Sequence, residues 1–135
     1  MKISSGKTEI FRSAEDLFVF LSDFQNFEKL MPEKISNWSA SPTNCSFEIN
    51  GMATIELRIS ETIPCSFILM ETEGKSPFPF KLKSNIEKTD ALSTFVNFEV
   101  EAKLSLLMIP MVKKPLQQLV DVLGEKLKNY LESQD

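Results

Sequence analysis

The stretch PLQQLVDVLGEKLKNYL, residues 115–131, decides the fold. Leu116, Leu119, Val120, Leu123, Leu127, Tyr130 and Leu131 recur at i, i+3, i+4 and i+7, with Gln117, Asp121, Lys126 and Lys128 opposite. That spacing predicts one amphipathic helix with a single apolar stripe, and such a stripe needs a surface to cover. Pro110 and Pro115 place its straight portion after residue 115, with a kinked or irregular approach before it. Gly124 stands inside the helix, where glycine costs about 1 kcal/mol relative to alanine unless close packing requires it.

The surface lies upstream, where the apolar period changes from 3.6 to 2. Cys45, Phe47 and Ile49 alternate with polar neighbours and run into Asn50-Gly51, a hairpin signal because both turn positions favour positive φ. Ala53, Ile55, Leu57 and Ile59 continue the pattern, followed by a strand over residues 66–71 and a turn at Glu73-Gly74-Lys75. Phe78, Phe80, Leu82 and Ile86 share the next face. After a turn at Thr89-Asp90, Leu92, Val96, Phe98, Val100, Ala102 and Leu104 mark the last. With an earlier strand over residues 35–40, the meander has six strands, apolar on one face and charged on the other, as in a sheet solvated on one side.

Before the meander, residues 3–11 read as a first strand weakened by Gly6. Ser13, three residues before Asp16, caps a helix whose stripe is Ala14, Leu17, Phe18 and Leu21. Asp23 caps a second short helix facing Phe24, Phe27, Leu30 and Met31 inward, and Pro32 stops it. The expectation is an α+β chain of order β-α-α-β6-α, a curved seven-stranded antiparallel sheet around a long C-terminal helix, in one domain over residues 1–135. A cystatin-like arrangement places its main helix early in the chain, whereas the longest stripe here comes last.

Composition narrows the function. The chain is 42% hydrophobic and 25% charged, with net charge −4, and its arginines are Arg12 and Arg58 alone. A nucleic-acid surface needs clustered cations to release counterions, so nucleic acid is excluded as the expected partner. No apolar run approaches the about 20 residues of a membrane span. MKISSGKTEI has no signal-peptide pattern, so two unexported cysteines, Cys45 and Cys65, read as reduced thiols with the cytoplasm as the default compartment. There is no histidine, which removes the commonest general base and zinc ligand and every Ser-His or Cys-His pair. No metal site, cofactor or catalytic residue is expected.

The order of elements, with SAEDLFVFLSDFQNFEKLMPEKISNW (residues 13–38) and LLMIPMVKKPLQQLVDVLGEKLKNYL (residues 106–131), resembles the helix-grip fold of the START/Bet v 1-like superfamily. The likeness is greatest to its small bacterial branch, described as polyketide cyclase/dehydratase-like or SRPBCC proteins. The first segment matches that family's two-helix insert and second strand, the second its closing helix. The glycine-rich loop of the plant allergen branch is absent, as are the pocket histidine and arginine of cyclase-type members. The resemblance implies a small apolar ligand, such as a lipid, sterol, quinone or polyketide, held between helix and sheet, and the missing pocket histidine and arginine turn the expectation toward binding without catalysis. The alternatives are a cyclase/dehydratase-type enzyme on an apolar substrate, or a protein–protein interaction module of the same fold.

Eleven phenylalanines and six methionines suit an apolar pocket, since neither residue needs a polar partner. The expected ligand-binding set combines Phe47, Ile55, Leu57, Phe80, Leu82, Val96 and Phe98 from the sheet with Leu116, Leu119, Val120 and Leu123 from the helix. Ser84 and Thr94 share inward parity and are the candidate polar anchors, and Leu107, Met108 and Met111 the candidate mouth. The acid pairs Glu71/Glu73 and Glu99/Glu101 fall on the solvated face. The sequence leaves the oligomeric state open between monomer and homodimer.

Overall fold

The N-terminal strand is present in two pieces, β1 (Lys2–Ser4) and β2 (Thr8–Ile10). The structure, a computed structural model, describes residues 1–51, 53–74 and 76–134. Helix α1 (Ala14–Leu21) and a 3-10 helix (Phe24–Leu30) follow. The meander comprises β3 (Ile35–Ala40), β4 (Asn44–Ile49), β5 (Ala53–Ile63), β6 (Phe67–Thr72), β7 (Phe80–Asp90) and β8 (Ser93–Ala102), and α2 (Ile109–Glu132) closes the chain. The sheet is antiparallel, in the order β1-β8-β7-β6-β5-β4-β3, with β2 also on β8.

Eight strands therefore replace the expected seven, because the first one breaks beside Gly6. Ser5 bridges the break. Its N–H donates to the Phe98 carbonyl at 2.9 Å, and its hydroxyl accepts from the Phe98 N–H at 2.9 Å. One side chain thus replaces a missing ladder bond.

The local signals otherwise act as their chemistry dictates. Ser13 Oγ accepts from the Asp16 N–H at 3.1 Å and starts α1, and Asp23 accepts from the Gln25 N–H at 2.8 Å and starts the 3-10 helix. Asn50 and Gly51 both take positive φ, at 58° and 69°. In α1, Ala14, Leu17, Phe20 and Leu21 are buried while Phe18 is only half-buried. Phe20 turns inward because α2 reaches over it, with Tyr130 ring-to-ring at 5.3 Å. Leu92, expected on the inner face of β8, sits in the β7–β8 turn and is 74% exposed. Lys75, expected in a turn, lies outside the described residues.

The closing helix starts earlier than expected, at Ile109, and runs through Pro115. Pro110 is tolerated because first-turn N–H groups have no helical partner. Pro115 has no N–H for the Met111 carbonyl four residues back. The Asn50 side-chain amide donates to that carbonyl instead, at 3.3 Å. The hairpin tip therefore supplies the bond that the proline removes.

The apolar face of the sheet is shared among three helices. Helix α2 packs on β1, β2 and β8, α1 on β6 and β7, and the 3-10 helix on β3 and β4. Gly124 marks the tightest approach of α2, since a Cβ there would lie 3.2 Å from Thr8 Cβ and overlap Thr8 Oγ1.

Candidate functional site

Where the 3-10 helix, α2 and β3–β7 converge, a seam remains, lined by Phe24, Phe27, Met31, Trp38, Phe47, Leu57, Met70, Phe80, Leu82 and Leu119. All ten are apolar or aromatic. The open volume among them is about 10 Å³, close to the least that holds one water. In this conformation side chains fill the space. Met31 and Trp38 are half-buried and the other eight are buried, so the seam reaches the surface at these two.

Trp38 is placed by a β-bulge. The β3–β4 register shifts between Ser36 and Ser39, and Asn37 adopts φ 52° within the bulge. The extra residue reverses the strand parity, so Ile35 and Trp38 both turn toward the core. The indole N–H donates to the Phe24 carbonyl at 3.0 Å. Its ring stacks on Phe47 at 5.3 Å and on Phe27 at 6.4 Å, with interplanar angles of 15° and 20°. At the same opening, Lys126 Nζ donates to the Met31 carbonyl at 3.0 Å and ties α2 to the end of the 3-10 helix.

Five residues of the expected set, Phe47, Leu57, Phe80, Leu82 and Leu119, meet in this seam. Ile55, Val96, Phe98, Leu116, Val120 and Leu123 are buried but pack elsewhere in the core. Thr94 Oγ1 is committed to the Arg12 carbonyl at 2.8 Å. Ser84 Oγ is buried with no hydrogen-bond partner among the described residues, and it lies outside the seam although Phe80 and Leu82 of the same strand border it. The three residues of the expected mouth do not line this seam. Leu107 is 91% exposed, Met108 is half-buried, and Met111 lines a separate surface cleft of about 250 Å³ with Lys34, Asn50, Lys114 and Gln118. Leu107 and Met108 stand in the turn that precedes α2, and Met111 lies in the first turn of the helix, which begins at Ile109.

Phe24, Phe27, Met31, Trp38 and Met70 were missing from the expected site. Four of them fall in the segment DFQNFEKLMPEKISNW, and their aromatic density was the available signal. Trp38 could not be placed by strand parity, because the bulge that reverses it depends on pairing with β4.

None of the ten lining side chains titrates. Burial pushes the Cys45 thiol up to about 12, so it does not form a thiolate near neutrality. The acid pairs stand on the outer face: Glu71 lies 3.5 Å from Lys81 Nζ and 3.9 Å from Arg58, and Glu101 lies 2.9 Å from Lys83. Among the described residues, no three His, Cys, Asp or Glu side chains cluster to hold a metal, and no helix is long and apolar enough to cross a membrane.

No family model and no curated protein matches the chain. Solved structures do. A START superfamily protein from Mycobacterium smegmatis superposes with TM-score 0.73 at 19% identity, covering 97% of each chain. The di-domain ARO/CYC BexL gives TM-score 0.65 at 12% identity, over 98% of this chain and 46% of that one. An Aha1 dimer from Colwellia psychrerythraea gives TM-score 0.61 at 18% identity, over 98% and 97%. The chain has the helix-grip fold that these proteins share.

Proposed function

We propose that this protein binds a small apolar molecule in the seam between the 3-10 helix, α2 and the sheet, entering between Met31 and Trp38, and performs no reaction on it. The observation that carries the reading is the seam itself: ten apolar walls from seven elements, converging on an opening flanked by a tryptophan. Binding sites for apolar ligands are concave and lined mainly by apolar and aromatic groups. With about 10 Å³ open, the ligand must displace side chains. The element above them suits that movement, because a 3-10 helix has poorer hydrogen-bond geometry than an α-helix.

An enzymatic reading of the ARO/CYC type needs an acid or base at the ligand, and none of the ten lining residues supplies one. Trp38 is the single tryptophan, so its fluorescence reports on the seam alone. Titration with fatty acids, sterols, quinones and planar polycyclics should change Trp38 emission saturably for one class. The same class should raise the melting temperature, since a ligand at 100 times its Kd stabilises by about 2.7 kcal/mol. If every class leaves both emission and melting unchanged, the reading fails.

A further inference from the structure

We infer that the turn between β8 and α2 is a docking wedge for an anionic lipid surface. Leu106 and Leu107 stand there 86% and 91% exposed, the two most exposed large apolar side chains among the described residues. They lie on a turn beyond the end of the sheet, outside both the core and the seam. Half-buried Met108 and Ile109 continue the apolar run into α2.

The charge of the chain segment that carries them runs against the rest of the sequence. From Ala102 to Val120 there is no acidic residue, while Lys103, Lys113 and Lys114 are present and exposed, in a chain of net charge −4. Leucines flanked by lysines complement a bilayer interface: the leucines enter the acyl boundary and the lysines meet anionic headgroups. A turn offers a wedge rather than a face, whereas a protein interface depends on a packed central patch with matching shape. Among the described residues no helix is long and apolar enough to cross a membrane, and two leucines on a turn reach only the headgroup and acyl boundary.

Vesicle co-sedimentation tests this, comparing phosphatidylcholine alone with phosphatidylcholine–phosphatidylserine mixtures. The wild-type chain should sediment with the mixed vesicles, less with phosphatidylcholine, and less again as salt rises. Lys113→Gln with Lys114→Gln should weaken binding to the mixed vesicles about 25-fold, taking about fivefold per lysine near an anionic surface. Leu106→Ser with Leu107→Ser should abolish sedimentation while leaving the melting temperature and the Trp38 titration unchanged, since neither side chain is packed. A wild-type chain that stays in the supernatant overturns the proposal and leaves the leucine pair to a protein partner. Binding that survives the leucine substitutions overturns it as well.

Discussion

The Asn50 side-chain amide donates to the Met111 carbonyl at 3.3 Å, the carbonyl that Pro115 leaves without a helical donor. A hairpin tip and a helix interior thereby depend on each other across 61 residues of chain. Asn50 also holds φ 58°, so one residue serves both the turn and the helix.

Asn50→Gly keeps access to positive φ but removes the donor, and should cost about 0.5–1.5 kcal/mol. In a Pro115→Ala background the restored N–H at position 115 can reach the Met111 carbonyl, so the same substitution should cost less. Urea unfolding of the four variants measures the coupling as a double-mutant cycle. Additive effects would show that the bond does not serve the proline.

Gly124→Ala should fail to stabilise, although alanine gains about 1 kcal/mol in helix propensity. The new methyl would lie 3.2 Å from Thr8 Cβ and overlap Thr8 Oγ1. Thr8→Ala removes the overlapping hydroxyl, so Gly124→Ala should be better tolerated in that background. A gain of the full propensity difference in the wild-type background would contradict the close approach.

Phe27→Ala should cost about 3–5 kcal/mol, because it deletes a fully packed ring from the seam. It should also turn about 10 Å³ of open space into an apolar void. Such voids stay dry and accept benzene, so benzene should recover part of the lost melting temperature and shift Trp38 emission. Met111→Ala, at a half-buried wall of a surface cleft, should cost clearly less and show no benzene response. Equal costs at the two positions would mean that the seam is not packed as described.

Acid should destabilise the protein through surface carboxylates. Lys128 and the Phe11 N–H hold Glu132 below the ordinary carboxylate range, and Lys83 does the same for Glu101. A lowered folded-state value means that the unfolded chain binds more protons there. This stability is present above the unfolded pKa and lost as pH falls through the folded one, below about pH 4. Without histidine, melting temperature should be nearly flat from about pH 5 to 8. Glu132→Gln with Glu101→Gln should flatten the acid limb of a melting-temperature profile, and an unchanged limb would exclude these two groups as its source.

The sequence by itself determined the features that depend on neighbours a few residues apart. Caps at Ser13 and Asp23, positive φ at Asn50-Gly51, the period-2 strands and the 3.6-period stripe of residues 115–131 are settled by local hydrogen bonds and side-chain spacing. Those elements and their order were enough to specify the helix-grip architecture. Which apolar residues border the seam was decided by the tertiary structure, because an apolar side chain looks the same in sequence whether it faces a void or a packed wall. Trp38 points inward only because pairing with β4 inserts a bulge at Asn37. Leu107 is exposed because it falls in the turn between β8 and α2, where no element packs over it. The seam is nearly closed because three helices, rather than α2 alone, divide the apolar face. Each of these outcomes depends on how volumes from distant segments meet, and no local spacing encodes that.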